Sequence, residues 1–110
     1  METITATGEI DRLFNDGQRA GHAHVLLIAI RTPEARGHDG RVLFVAGKRL
    51  GNAVMRNRSK RVLRAAVRRA GGPWPGWDVA LVSRSATATA PAADLDRAVR
   101  RAVDALGIAR

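Results

Sequence analysis

The sequence has 110 residues, 45% of them apolar, which is the size and composition of one domain with a hydrophobic core. It contains no cysteine, so disulfides, thiolate nucleophiles and cysteine metal sites are excluded. Its 19 Lys and Arg residues against 10 Asp and Glu give a net charge of +9, all but two of the cations are arginine, and such a field attracts polyanions, namely nucleic acids or anionic lipids.

The first half of the chain predicts a short helix followed by two strands. Apolar residues recur with helical spacing in Gly8–Asp16. The nearly all-apolar segment Ala23–Ile30 predicts one strand, and Arg41–Ala46 predicts the next. The polar turn Thr32–Gly40 between them ends in Asp-Gly, so we expect the two strands to pair antiparallel as a hairpin.

The second half predicts a long helix, a strand and a last helix. The long helix covers about Asn52–Ala70, and Gly71-Gly72-Pro73 ends it. Asp78–Ser83 predicts a third strand, and a last helix runs from Pro91 towards Gly107. The order is αββαβα, an α+β two-layer sandwich with a small mixed sheet, because a helical crossover lets the second and third strands lie parallel.

Targeting signals are not evident in the sequence. The longest apolar run, Val25–Ile30, is much shorter than the roughly 20 residues of a membrane span. The first residues contain no basic group ahead of an apolar stretch, so we expect no signal peptide. We expect a single cytoplasmic domain over residues 1–110, with residues 1–7 as a flexible N-terminal arm.

The long helix is amphipathic, and its polar side is cationic. On a helical wheel the apolar side carries Met55, Ser59, Val62, Leu63, Ala66 and Ala70. The opposite side carries Arg56, Asn57, Lys60, Arg61, Arg64 and Arg68, with Arg58 and Arg69 at the boundary. No acidic residue occurs between Lys48 and Gly72, so none of these cations has a partner at i±4. We interpret this side as an anion-binding face, because solvated helix faces usually mix charges of both signs.

Two other interpretations of this helix are possible. A basic face can serve solubility alone, and a basic amphipathic helix can bind a membrane surface. Its apolar side contains no Trp or Phe to insert into lipid, which disfavours the membrane. Backbone N–H groups at Gly51 and Asn52 could also hold a phosphate at the helix N-terminus. We therefore favour nucleic acid as the partner.

A long motif surrounds the start of this helix. Residues 48–64 have the sequence Lys-Arg-Leu-Gly-Asn-Ala-Val-Met-Arg-Asn-Arg-Ser-Lys-Arg-Val-Leu-Arg. This segment closely resembles the bacterial ribonuclease P protein subunit, whose signature is a basic pair, Gly-Asn-Ala-Val, one variable residue, Arg-Asn-Arg, one further residue, Lys-Arg and a last Arg. Every element is present in register. The resemblance covers about Gly8 to Leu106 and is strongest in the middle.

The resemblance implies a specific fold and function. The family fold is an αβ sandwich, shared with a domain of a ribosomal protein, in which a left-handed βαβ crossover presents the Arg-Asn-Arg helix. The family protein binds the catalytic ribonuclease P RNA and the 5′ leader of precursor tRNA. It assists the endonucleolytic removal of the leader. The RNA subunit performs the hydrolysis with Mg²⁺ held mainly by RNA and substrate, so the resemblance implies an enzyme subunit without catalytic residues of its own.

The resemblance also implies site residues. By position, RNA binding falls on Lys48, Arg49, Arg56, Asn57, Arg58, Lys60, Arg61 and Arg64. We add Asn52 from the helix N-terminus and Arg68 from the wheel. The cleft for the leader, between the first helix and the sheet, is implied at Ile10, Phe14, Leu26 and Ile28. The family often has aromatic residues at the first and last of these positions and a basic N-terminal arm, so we expect weaker or more charge-dependent leader binding here.

Other residues invite functional interpretations that we do not favour. His22 and His24 could be two metal ligands, but no third ligand is evident nearby, so we predict polar histidines at a strand edge and no metal site. Trp74 and Trp77 could stack on bases, but we predict that they pack against the core.

Two further functions compete with the one that the resemblance implies. A general RNA-binding assembly factor or ribosomal-type protein could use the same basic helix, although it has no need of Asn57 or of Gly-Asn-Ala-Val at a fixed offset. A self-sufficient nuclease is disfavoured, because the sequence has no acidic cluster or Ser/Cys/His constellation that could hold metals or activate water.

Overall fold

The computed structural model describes residues 3–33, 39–47 and 51–108. Within these residues the chain forms three helices and four strands. In chain order they are α1 (Thr7–Asp16), β1 (Gln18–Gly21), β2 (Val25–Arg31), β3 (Arg41–Val45), α2 (Ala53–Arg69), β4 (Trp77–Ser83) and α3 (Ala92–Ala105). No helix in the described ranges is both long enough and apolar enough to span a membrane.

The four strands form one mixed sheet in the order β1-β2-β4-β3. β4 pairs antiparallel with β2 and parallel with β3. The expected hairpin between β2 and β3 is wrong, because β4 lies between them, whereas the expected parallel pairing across the α2 crossover is confirmed. The physical reason is burial: Val79, Ala80 and Leu81 are all fully buried, so β4 is apolar on both faces and belongs in the centre of the sheet.

Strand β1 is absent from the sequence-based order and is a correction to it. Its sequence, Gln-Arg-Ala-Gly, has no alternation of apolar and polar residues that would indicate a strand. It is held by antiparallel pairing with β2, from Gln18 opposite Ala29 to Gly21 opposite Leu26. The element order is therefore αβββαβα, and the α+β class with a small mixed sheet is confirmed. The left-handed sense of the crossover stays a prediction.

Helices cover both faces of the sheet. Leu27 and Leu81 point to the face on which α2 and α3 pack, where they join the larger buried cluster. Ile28 and Ala80 point to the other face and pack with Leu13 of α1. The two-layer arrangement thus describes the α2/α3 side, and α1 alone adds a layer on the opposite side.

The N-terminal arm, predicted to be flexible, is attached to the sheet at two residues. Thr3 forms an isolated parallel bridge with Val42 on β3. Ile4 is 2% exposed and belongs to the apolar cluster under α1. The arm therefore extends the layer that α1 begins.

Candidate nucleic-acid interface

Helix α2 begins and ends where its sequence predicts. The side-chain oxygen of Asn52 accepts a hydrogen bond from the backbone N–H of Met55 at 3.0 Å and caps the first turn. Gly51 has a φ of 92° and Gly71 a φ of 91°, values in the left-handed region that favours glycine. Asn52 is thus a helix cap, and this structural role comes before any role in binding a phosphate.

One side of α2 is buried against the sheet. Ser59, Leu63, Ala66 and Val67 are buried, and Ser59 donates a hydrogen bond from its hydroxyl to the backbone oxygen of Met55 at 3.0 Å. Val67 was not assigned to the apolar side by the wheel, but it is 0% exposed. The remaining side of α2 therefore faces away from the core.

That outward side carries the predicted RNA-binding residues of the helix, which we call the cationic face of α2. It consists of Arg56, Asn57, Lys60, Arg61, Arg64 and Arg68, all exposed except the half-buried Arg56. In the described part of the chain the recorded ion pairs belong to Arg41, Arg69 and Arg97, so no described carboxylate lies within salt-bridge distance of the face. The charge on this face is therefore available to an external anion.

Three arginines of α2 are oriented by contacts within the protein. Arg56 donates from Nη1 to the backbone oxygen of Gly51 at 2.9 Å. Arg58 donates from Nε to the backbone oxygen of Ala88 at 3.1 Å, which turns it towards the segment after β4. The guanidinium carbon of Arg64 lies 5.3 Å from the centre of the Phe44 ring on β3, a cation–π contact. Each guanidinium keeps further N–H donors for a ligand.

Arg69 differs from its neighbours. Its Nε donates to both carboxylate oxygens of Asp96 on α3 at 2.9 Å, and this hydrogen bond raises the pKa of Arg69. The sequence shows no acidic partner within α2, and the structure supplies one from the neighbouring helix. Arg69 is therefore committed to the α2–α3 contact and lies outside the cationic face.

Other predicted residues fall at different places. Lys48 and Arg49, predicted to bind RNA beside the helix, lie outside the described residues. Val54 in the first turn of α2 is 72% exposed and was not singled out from the sequence. Its position could have been inferred from the helical wheel, since an exposed valine beside cations offers an apolar contact to a sugar or base.

The four residues predicted to form the leader cleft share one apolar cluster between α1 and the sheet. Ile10, Phe14 and Leu26 are half-buried at its surface, whereas Ile28 is 0% exposed beneath α1. Ile28 thus supports the floor of the cleft without reaching its surface. Arg19 donates from Nη2 to the backbone oxygen of Phe14 at 2.7 Å, which places a cation at the rim.

The residues that invited other functions have mostly structural contacts. Trp74 is 1% exposed and belongs to the core, as predicted. Trp77 is half-buried against the core, and Arg31 lies 4.4 Å from its ring centre. His22 and His24 stack with their ring centres 5.1 Å apart. Among the described residues, no three His, Cys, Asp or Glu side chains are grouped so that they could hold a metal ion.

Comparisons with known proteins agree with this geometry. The family model described as Ribonuclease P matches residues 1–107. A ribonuclease P protein component of Symbiobacterium thermophilum is 37% identical over 94 residues, covering 82% of this chain and 74% of that protein. One from Dehalococcoides mccartyi is 42% identical over 60 residues, and the match spans about half the length of that relative, 49%.

Solved structures show the same fold. The Staphylococcus aureus RNase P protein has a TM-score of 0.82 at 15% sequence identity, covering 100% of this chain and 99% of that chain. The Thermotoga maritima RNase P protein has a TM-score of 0.75 at 17% identity, covering 96% of each chain. These likenesses extend over all three helices and the sheet.

Proposed function

The chain belongs to the ribonuclease P protein family, and we propose that it is the protein subunit of ribonuclease P, acting in the cytoplasm. In this proposal it binds the catalytic RNA subunit through α2 and the 5′ leader of precursor tRNA through the cleft under α1. The complex removes the leader by endonucleolytic cleavage and so produces the mature 5′ end of tRNA.

The observation that carries the proposal is the cationic face of α2. Its arginines and lysine project from a helix that is fixed to the core by Leu63, Ala66 and Val67. An arginine fork pairs with phosphate through two parallel hydrogen bonds, which suits a helix laid along an RNA backbone. Each phosphate that such a side chain neutralises releases a condensed counterion, and this release drives binding.

The cleft supports the second part of the proposal. Ile10, Phe14 and Leu26 offer an apolar surface on which bases of a single strand can rest, and Arg19 at its rim can meet a phosphate. The aliphatic side chains make this a weaker stacking surface than an aromatic one. Leader binding here therefore depends more on charge than on stacking.

We assign the hydrolysis to the RNA subunit, with Mg²⁺ held by RNA and substrate. The contribution of this chain is positive charge placed against closely spaced phosphates. Because this charge replaces part of the counterion atmosphere that the folded RNA needs, the complex requires less Mg²⁺ than the RNA alone.

Reconstitution tests the proposal. The purified chain is added to the ribonuclease P RNA of the same organism with precursor tRNA at low Mg²⁺, and the release of the leader is measured. We expect cleavage only when chain and RNA are both present, and an Arg61→Ala, Arg64→Ala variant to need more Mg²⁺ than an Arg100→Ala variant. Arg100 is a matched control, because it is an exposed arginine on α3.

The result also separates the alternative function. A general RNA-binding or ribosomal-type protein would bind many RNAs through the same helix without restoring cleavage at low Mg²⁺. Absence of rescue by a folded chain would therefore reject the proposal in favour of that alternative.

A further inference from the structure

A second positively charged site lies on α3, away from α2. A concavity of about 270 Å³ opens between the β1–β2 connection and α3, and its lining residues are His22, His24, Asp94, Arg97 and Arg101. An adjoining hollow is lined by small residues, among them Gly21 and Ala102, which leave room beside Arg101. We call the concavity the histidine–arginine pocket.

The charges in the pocket favour an anion. Arg97 and Arg101 are one helical turn apart, so both side chains project from the same side of α3. Asp94 bonds to Arg97, whose side chain is still 61% exposed. Two guanidinium groups against one carboxylate leave the pocket positive even with neutral histidines, and this charge repels a metal cation.

Hydrogen bonding fixes the arrangement of the two imidazoles. The backbone N–H of His24 donates to Nδ1 of His22 at 3.2 Å, so this nitrogen is an acceptor and the ring proton lies on Nε2. Nδ1 of His24 lies 3.3 Å from the same nitrogen and therefore acts as its second donor. Nε2 of His24 is then left with a lone pair. This atom accepts a proton on acidification without breaking the bond between the rings.

The pocket is connected to α2 through the turn after β4. Thr87 donates from its hydroxyl to the backbone oxygen of His24 at 2.5 Å, and the next residue, Ala88, accepts the bond from Arg58. A single RNA that lies on α2 near Arg58 therefore reaches the pocket across one short turn.

From these contacts we propose that the histidine–arginine pocket binds a backbone phosphate of RNA, as a second contact beyond α2, and that it binds more tightly as the pH falls. The proposal rests on the RNA-binding function proposed above. Histidine side chains in general gain charge between about pH 8 and pH 5, which adds to the positive field of the pocket. The described charged groups that face the two rings are Asp94, Arg97 and Arg101.

RNA binding by full-length variants tests the pocket. The affinity for the ribonuclease P RNA is measured at pH 8 and pH 5.5 for the wild type, Arg101→Gln, the matched control Arg100→Gln, and a double His22→Gln, His24→Gln variant. We expect Arg101→Gln to weaken binding by about fivefold relative to Arg100→Gln. We expect the double variant, which keeps His38, to lose most of the gain in affinity at pH 5.5.

Equal affinities of the two arginine variants, or an unchanged pH response in the double variant, would overturn the pocket. Failure of the proposed function has a different signature, because the wild type would then bind this RNA no better than the Arg61→Ala, Arg64→Ala variant.

Imidazole ¹⁵N NMR adds a direct measurement. We expect RNA to shift the Nε2 resonance of His24, and inorganic phosphate alone to shift it in the same direction only at millimolar concentration. A shift with phosphate but none with RNA would assign the pocket to free anions and reject the RNA contact.

Discussion

Arg41 on β3 and Asp78 on β4 are directly opposite in the parallel register and form a buried two-point ion pair. Nη2 of Arg41 lies 2.5 Å from Oδ2 of Asp78, and Nε donates to Oδ1 at 3.1 Å. Nη2 also bonds to Glu9 of α1 at 2.5 Å. The hydrogen bonds to Asp78 and then to Glu9 raise the pKa of Arg41. One guanidinium thus connects α1 to the two strands joined by the α2 crossover.

Removing the guanidinium should destabilise the domain strongly. We expect Arg41→Met to lower the free energy of unfolding by about 3–5 kcal/mol, because Asp78 would be left buried without its counter-charge. Urea unfolding followed by circular dichroism measures this. An Arg41→Met, Asp78→Leu double variant should recover much of the loss, and Arg100→Met should change stability by less than about 0.5 kcal/mol. A loss no larger than that of Arg100→Met would show that the pair does not stabilise the fold.

Neutralising the cationic face should change the salt dependence of RNA binding. Replacing Arg61 and Arg64 with Ala should lower the slope of log K against log salt by about 0.7–0.9 for each lost phosphate contact. The thermal unfolding midpoint should stay near that of the wild type, since both side chains are exposed. Filter binding over a series of salt concentrations gives the slope, and a slope unchanged from the wild type would exclude this face as the binding surface.

Asn52 allows its capping role and its binding role to be separated. Asn52→Ala should cost about 1 kcal/mol of stability, because the bond to the N–H of Met55 is lost. Asn52→Asp keeps an acceptor and places a negative charge at the helix N-terminus, so stability should be retained. If a phosphate lies there, Asn52→Asp should weaken RNA binding more than Asn52→Ala does. Equal RNA affinities would leave Asn52 as a cap only.

The cleft under α1 offers a matched pair of substitutions. Ile10→Tyr should tighten binding of precursor tRNA relative to leaderless tRNA, by about 1–3 kcal/mol for each base that stacks on the ring. Ile28→Tyr should instead destabilise the fold by about 1–3 kcal/mol, because Ile28 is fully buried and the larger ring overpacks the core. Competition binding and urea unfolding measure the two effects. A tighter complex with Ile28→Tyr would contradict the position of this residue in the floor.

The parts of the fold that local sequence controls could be predicted. Helix α2 was expected at about Asn52–Ala70 and occurs at Ala53–Arg69, because its cap and its terminating glycines lie within the segment itself. The cationic face was predictable for the same reason, since helical periodicity alone determines which residues lie on the opposite side from the buried ones.

The parts that depend on distant residues could not be predicted. Strand β1 exists through its pairing with β2, and the hairpin between β2 and β3 was expected only because they are neighbours in sequence. The partners of Arg41 and Arg69 lie 37 and 27 residues further along the chain. The histidine–arginine pocket likewise joins β1 and β2 to α3, so its residue types alone gave no indication of it.

The position of β4 determines when this protein can fold during synthesis. β4 is the last strand to leave the ribosome, and it lies between β2 and β3. Until residues 77–83 emerge, a nascent chain has two apolar strands with unsatisfied edges and no partner to hold them together. Helix α2, which precedes β4, emerges while the sheet is still open. The RNA-facing helix is therefore made first, and the platform that orients it is completed only near the end of translation.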